Sequence, residues 1–335
     1  MGHNMKAGQI AARGRMALVD VDAPRPPRDG EAIVLPETGC LCGSDIPFFS
    51  EPQPHYPLAA GLSLHEIVGR VTSSASREFR AGDRVLAMPP GLLGCAEQLL
   101  LADTRLVHID DGLSNEAAVI SQPMATVLSA LTAVPSVAGL TVAVLGQGPI
   151  GQLFNACLSS AGAARIIGID VRQARVSRSC EFGATDIIVS REFDGTGGAG
   201  DPGDVTLERV REITGGMMAD LVVEAVGHEE QQFNLATALA RNKGRVLYFG
   251  IPPDRLNDIA FEPVVRKSLT IHTSVPEDLR PFVKIAMRAI RQGRINPDRL
   301  ITHRFGFAEI QQAFETYRDR REGAMKVLID FQAHR

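Results

Sequence analysis

Apolar residues fall along this chain in two rhythms. Residues 6 to about 110 carry short apolar runs, Ala32-Ile-Val-Leu35, Glu66-Ile-Val-Gly-Arg-Val71, Arg84-Val-Leu-Ala87 and Glu97-Gln-Leu-Leu-Leu101, cut by proline and glycine. Runs of that length between turn formers predict short strands. Ala23 to Gly30 reads as a stiff proline-rich loop, and Ala81-Gly-Asp-Arg84 as a tight turn into a strand. From about 114 the pattern changes. Asn115 to Val134 reads as mostly helical, with Ser114 as N-cap and Pro123 as a break. Residues 141 to about 272 then alternate strand and helix, with strands expected at 141–145, 165–169, 185–189, 220–224, 245–249 and 268–272. That alternation predicts a doubly wound, six-stranded parallel sheet. Gly195 to Gly203 is glycine-rich but lacks the Lys-Ser/Thr ending of a phosphate loop, so it reads as a flexible surface loop. The remainder predicts a helix at about 278–292, a strand near 299–303, a helix from Phe307 and a last strand from Met325 to Ile329. This tail has no rhythm of its own and is read as returning to the first domain.

The most informative stretch is Thr141-Val-Ala-Val-Leu-Gly-Gln-Gly-Pro-Ile-Gly-Gln152. A buried strand runs into Gly146, Gly148 and Gly151 at G-x-G-x-x-G spacing, and an apolar helix comes next. Gly146 allows the sharp turn, Gly148 lets the backbone touch a pyrophosphate, and Gly151 lets helix and strand pack closely. The helix start at Pro149 and Ile150 then faces phosphates with the positive end of its dipole. A second strand, Arg165 to Asp170, ends in a carboxylate 19 residues beyond Gly151, where an adenine ribose diol is gripped. The plainer alternative is an α/β domain with a glycine turn and a helix-starting Asp170.

Composition narrows the field only a little. With 335 residues, 44% hydrophobic, and a net charge of −4, this is an ordinary globular chain of two-domain length with no electrostatic footprint for nucleic acid or acidic membrane. No apolar run reaches the ~18–20 residues that span a bilayer. The five cysteines (Cys40, Cys42, Cys95, Cys157, Cys180), without a secretory signal core, suggest a reducing cytoplasm and no disulfide framework.

Three segments carry candidate metal ligands: Gly39-Cys-Leu-Cys-Gly-Ser-Asp45, Leu64-His-Glu-Ile-Val-Gly69 and Gln122-Pro-Met-Ala-Thr-Val-Leu128. One Cys, one His and one oxygen would suit a catalytic zinc with an open position. Spacing alone leaves the matter open, because a buried Cys and a satisfied core His are commoner than ligands.

Taken together, Cys42-Gly-Ser-Asp45, His65-Glu66, Ala81-Gly-Asp-Arg-Val85, Gln122-Pro-Met, the Gly146 to Gly151 turn, Glu224-Ala-Val-Gly227, Gly244-Arg-Val, Phe249-Gly-Ile and Gly323-Ala-Met-Lys-Val327 occur in the order of a known family. From Met5 to about Ile329 the chain resembles the medium-chain zinc-dependent alcohol dehydrogenases, closest to the polyol, sugar and threonine dehydrogenase branch. The resemblance implies a β-rich GroES-like catalytic domain (residues 1–123), an NAD-binding Rossmann domain (124–272) and a return to the catalytic domain (273–335). It implies zinc-dependent hydride transfer between a secondary alcohol (a polyol, sugar or cyclitol) and NAD, with NADP less favoured. It also implies a cytoplasmic homodimer or homotetramer acting on a small-molecule alcohol or ketone, without nucleic acid or membrane partners.

Residue by residue, the resemblance makes Cys42, His65 and Gln122 zinc ligands, with Glu66 able to swing onto the metal. Ser44 matches the hydroxyl that bonds the substrate alcohol, and Asp45 the carboxylate that orients the ligating histidine. Asp170 and Arg175 match the adenosine-ribose side of the cofactor site, and Val226 and Gly250 the nicotinamide-ribose side. Lys326 reads as a surface lysine within reach of the pyrophosphate. Phe48, Phe49, Tyr56, Leu92 and Met124 are candidate pocket residues, with plain core packing the safer reading of any one of them.

The chain departs from the family at four places. Gln122 stands where Cys or Glu is usual, Leu64 where glycine precedes the ligand His, and Pro47 where many relatives have a proton-relaying His. The four-cysteine lobe is reduced to Cys95, so at most one zinc, and no structural zinc, is expected. A zinc-free reductase of enones or quinones and a non-catalytic dinucleotide-binding protein stand as alternatives.

Overall fold

Short apolar runs become strands wherever a pleated face can be buried. In the computed structural model, which describes residues 4–190, 205–227 and 231–333, the first seven strands are β1 (Asn4–Ala12), β2 (Arg15–Asp22), β3 (Glu31–Cys40), β4 (Glu66–Ser74), β5 (Arg84–Ala87), β6 (Leu99–Ala102) and β7 (Leu106–His108). β1 and β2 form an antiparallel hairpin. β3 is central and buried along most of its length. It pairs antiparallel with β4 and, near its start, with β6. The expected loop from Gly195 to Gly203 lies outside the described residues.

The middle of the chain alternates as its apolar pattern requires. β8 (Thr141–Leu145), β9 (Arg165–Asp170), β10 (Asp186–Val189), β11 (Ala219–Glu224), β12 (Ala240–Tyr248) and β13 (Thr270–Thr273) make one parallel sheet in the order β10-β9-β8-β11-β12-β13. Continuous Val/Ile/Leu runs such as Val142 to Leu145 are buried on both faces. Strand order reverses between β8 and β11. In such sheets ligands bind beyond the carboxyl ends of the strands at this switch point.

β14 (Ile301–Gly306) and β15 (Lys326–Asp330) pair in parallel, and β15 then runs antiparallel to β3, with Leu328 opposite Cys40. The tail thus completes the first sheet. Two compact units result, residues up to Ala125 with Arg280 onward, and Thr126–Leu279. Among the described residues no helix is long and apolar enough to cross a membrane.

One helix expectation is corrected. Ser114 caps the helix Asn115–Val119, its hydroxyl accepting from the Ala117 N–H at 3.1 Å. Pro123 does not break the next helix. The chain resets at Ile120, and Pro123 sits in the first turn of the helix Ser121–Leu131. First-turn N–H groups have no intrahelical acceptor, so a proline there costs little.

Cys95 shows why the missing cysteine lobe leaves no gap. It is fully buried in the core of the first unit. A Cβ at Gly8 would fall 2.3 Å from its sulfur. Burial pushes the Cys95 and Cys157 thiols up to about 12, while Cys180 is exposed. Because the thiolate is the reactive form, a disulfide reagent at pH 8 should modify Cys180 promptly, and Cys95 and Cys157 only after unfolding. Rapid labelling of Cys95 in the folded protein, read by peptide mass spectrometry, would refute this packing.

Candidate active site

The glycine turn of the middle unit keeps its three glycines for different reasons. Gly146 has φ +86°, and a Cβ there would lie 2.9 Å from Val226 Cγ2. A Cβ on Gly151 would fall 1.8 Å from the Gly146 carbonyl oxygen. Gly148 is different. Its φ is −69°, and the closest atom to an added Cβ is an Arg175 guanidinium nitrogen at 3.7 Å. Nothing in the protein demands glycine at 148, so its bare backbone suits a ligand that comes close. Gly148 is also the N-cap of the helix Pro149–Ser160, with Pro149 at the first position and the Ile150 N–H next in the turn.

The carboxylates around this turn hold main chain. Asp170 ends β9 and accepts from the Gln147 N–H (2.7 Å) and the Arg172 N–H (2.9 Å), with Arg175 Nη1 3.5 Å away. Glu224 ends β11. It accepts from Val226 N–H (2.7 Å), Gly227 N–H (2.9 Å) and Gly250 N–H (3.1 Å). The ends of β8, β11 and β12 therefore meet, bringing Gly146, Val226 and Gly250 together. The sequence reading missed Gln147. Its buried carboxamide donates to the Val144 carbonyl (2.8 Å) and accepts from Asn155 Nδ2 (2.7 Å) and Ser179 Oγ (2.7 Å). Three amides, Gln147, Gln152 and Asn155, in an otherwise apolar stretch were the available signal.

In the first unit, strand pairing assembles a second cluster. Cys40 and Glu66 are register partners on β3 and β4. Cys42 lies just past β3 and His65 just before β4. One ligand atom from each of Cys42, His65 and Glu66 lies within 4.8 Å of the others. Cys42 and His65 are half-buried, and Glu66 is fully buried. Among the described residues, His65 Nδ1 and Ser44 Oγ are buried without a hydrogen-bond partner. Buried polar atoms are nearly always paired, so two orphans beside a thiol point to something they bind. A thiolate and an imidazole with oxygen donors nearby are zinc's preferred chemistry. Gln122, only 6% exposed, is the second residue of the helix Ser121–Leu131 in this same unit.

Two expectations change here, and the core reading of Phe49 and Met124 holds. Asp45 does not hydrogen-bond the His65 ring. Its oxygens accept from the Cys42 N–H (2.7 Å) and the Leu64 N–H (3.0 Å). Lys326 is not on the surface. It is 1% exposed, its ammonium donates to both Glu66 oxygens at 2.7 Å, and it also reaches the Leu41 carbonyl at 3.2 Å. The pairing of β15 with β3 carries it there, a long-range contact that no local pattern announces. Burial pushes the Glu66 carboxyl above its ordinary range, with Lys326 opposing. Phe49 is core rather than pocket wall, packed at 5.1 Å against Phe314, and Met124 is 2% exposed.

A dinucleotide turn in one unit and a metal-type ligand cluster in the other define a class, the metal-assisted dinucleotide oxidoreductases. A model of the zinc-binding dehydrogenase family matches residues 149–288. The L-threonine 3-dehydrogenase of Bacillus licheniformis is 31% identical over 264 residues, covering 76% of this chain and 70% of its own. The sorbitol dehydrogenase of Halalkalibacterium halodurans is 25% identical over 350 residues, covering 94% and 96%. The solved alcohol dehydrogenase of Thermus sp. ATN1 superposes with a TM-score of 0.83 at 24% identity, over 97% of this chain and 99% of that one. The chain belongs to the medium-chain, zinc-dependent alcohol dehydrogenase family.

Two substitutions separate the roles of the turn glycines. Gly151→Ala should prevent the helix Pro149–Ser160 from seating and yield little folded protein. Gly148→Ala should fold normally yet bind a nicotinamide dinucleotide about tenfold more weakly (~1.4 kcal/mol) by calorimetry. Equal affinity for Gly148→Ala and wild type would remove the ligand argument. Lys326→Met should leave Glu66 buried without its cation and destabilise the protein by about 3–5 kcal/mol. An unchanged urea midpoint for the first unit's unfolding would show that the pair does not matter.

Proposed function

We propose that this chain is a zinc-dependent dehydrogenase that moves a hydride between a secondary alcohol, of the polyol, sugar or cyclitol class, and NAD. The observation that carries this reading is the convergence of Cys42 and His65 beside an unpartnered Nδ1 and an unpartnered Ser44 hydroxyl. Cys42, His65 and Gln122 would hold one zinc, with Glu66 beside it. Bound there, zinc supplies Lewis-acid polarisation of the alcohol oxygen. NAD supplies the hydride acceptor.

The remaining work belongs to side chains. Ser44 has a free hydroxyl, so it can accept the alcohol proton at Oγ. Pro47 cannot carry that proton onward, and both Glu66 oxygens face Lys326. Water at the half-exposed edge of Cys42 and Ser44 therefore receives it. Charge decides the metal's strength. A thiolate and two neutral ligands leave the centre at +1, and Glu66 adds no net charge because Lys326 cancels it. Such a centre acidifies an alcohol strongly but holds its metal less tightly than one with a carboxylate ligand.

Asp170 favours NAD. A carboxylate about 4 Å from a 2′-phosphate repels it by about 4 kcal/mol per unit charge at an effective dielectric of ~20. The nearest cation, Arg175, already faces Asp170 at 3.5 Å. By the same reading the protein works as a homodimer or homotetramer in a reducing cytoplasm, with free cysteines and one zinc per chain.

The test is elemental analysis of purified protein with a panel of polyols, aminocyclitols, sugars and threonine, using NAD and NADP. One zinc per chain and a higher kcat/KM with NAD are expected. Gln122→Glu should retain zinc better against a chelator. Metal-free protein that reduces an enone would favour the zinc-free reductase, and zinc with NAD binding but no turnover would favour a non-catalytic role.

A further inference from the structure

We propose that the buried carboxamides of Gln147 and Gln152 are positioning residues for the choice of dinucleotide. They hold Asp170 and Arg175 where a plain adenine ribose fits and a 2′-phosphate does not. The inference rests on the NAD reading proposed for this chain. Four polar side chains at the glycine turn, Gln147, Gln152, Asn155 and Ser179, are fully buried. Burying such groups costs free energy unless they are hydrogen-bonded. The fold makes room for one of them. β9 carries Gly168 inside an isoleucine run, and a Cβ there would fall 2.9 Å from Gln147 Oε1 and 3.2 Å from Ser179 Cβ. A glycine weakens a strand interior and marks a close approach; here what approaches is the carboxamide.

The cluster ends on the main chain that carries the cofactor-facing groups. Gln147 Nε2 donates to the Val144 carbonyl at 2.8 Å, and its Oε1 accepts from Asn155 Nδ2 and Ser179 Oγ, both at 2.7 Å. With that side chain fixed, the Gln147 N–H is aimed at Asp170 Oδ2, 2.7 Å away. Gln152 Nε2 donates to the Gln147 carbonyl and to the Arg175 carbonyl, each at 3.1 Å. One amide therefore ties the turn to the segment that bears Arg175. The Arg175 guanidinium stands 3.5 Å from Asp170 and 3.7 Å from the Cβ position of Gly148. The second Asp170 oxygen accepts from the Arg172 N–H at 2.9 Å. Each carboxylate oxygen keeps a further lone pair for a ribose hydroxyl. A 2′-phosphate needs Asp170 turned aside or Arg175 brought round to it. Either movement pulls on this network, and a buried polar group left unpaired costs more than its pairing gains. Gln147 and Gln152 have no exposed surface, so they act through Asp170 and Arg175 and not by touching the cofactor.

Gln152→Met and Leu239→Ala separate positioning from stability. Methionine keeps the length of the side chain and removes both donors. Leu239 is a fully buried core residue of the same unit, next to Ala240 at the start of β12 and so away from the carboxyl ends of the strands. Dissociation constants for NAD and NADP would be measured by calorimetry on each whole protein, with the unfolding midpoint recorded. Gln152→Met should bind NAD about tenfold more weakly, the worth of one hydrogen bond. It should bind NADP within about threefold of wild type, so the preference for NAD narrows. Leu239→Ala should lose stability and keep the preference. Equal weakening of both cofactors in Gln152→Met, or no change in either, would overturn the proposal. So would the same narrowing in Leu239→Ala, which would make preference a reflection of stability. Should Gln152→Met fail to fold, Ser179→Ala removes one bond to Gln147; a preference narrowed about threefold there supports the proposal, and an unchanged one overturns it. Wild-type protein that prefers NADP, or binds neither dinucleotide, would instead refute the NAD reading itself.

Discussion

Strand β3 is hydrogen-bonded along both edges, and the chemistry of the first unit depends on its register. β4 on one side sets Glu66 opposite Cys40. β15 on the other sets Leu328 opposite the same residue. Cys42, His65 and Lys326 all lie within two residues of those partners. Side chains alternate faces along a strand, so a one-residue slip would turn Glu66 and Lys326 away from each other. The slip is opposed because seven of the ten residues of β3 are buried. Core packing, rather than any attraction between the functional groups, therefore fixes the site.

Charge inside this unit is distributed sparingly. The Glu66 carboxylate of the Cys42–His65 cluster is matched by a buried ammonium, and Asp45 is committed to two main-chain N–H groups. Among the groups this unit buries are Asp45, Glu66, Cys40 and Lys326, of which Glu66 and Lys326 neutralise each other and Cys40 is kept a neutral thiol by burial. Cys42 and His65 are left half-buried, and the Ser44 hydroxyl is buried without a hydrogen-bond partner. The middle unit has the same habit. Asp170 and Glu224 each accept from main-chain N–H groups and close a turn.

Much of this was legible in the sequence, and the parts that were not share a cause. The parallel sheet followed from apolar runs at regular spacing, and five of its six strands lie within two residues of where those runs fall; only β12 starts earlier, at Ala240. The metal-ligand reading of Cys42, His65 and Gln122 came from the family resemblance rather than from spacing, and the structure brings Cys42, His65 and Glu66 close together. The hairpin of β1 and β2 and the short β7 were not among the runs singled out, although β2 carries Met16, Ala17, Leu18, Val19 and Val21. Pro123 was misplaced because a proline pattern cannot tell a helix's first turn from its middle. Lys326 was misjudged for a deeper reason: its partner lies 260 residues away, and only tertiary pairing determines which lysine is buried. Leu64 was seen as an anomaly, yet its left-handed backbone, the physical reason glycine is usual there, could not be read from letters.

That distance has a consequence for biosynthesis. On a ribosome adding about 5–20 residues per second, Glu66 emerges some 10 to 50 seconds before Lys326. Throughout that interval the end of β3 around Thr38–Cys40 lacks its β15 partner, and the acid has no Lys326 counter-ion. The nascent amino-terminal half must therefore wait, incompletely paired, while the intervening α/β unit is made. Delivery of the final strand closes the sheet and neutralises the acid in a single event, so a chain that stops short of β15 is flawed at its core and not merely at its end.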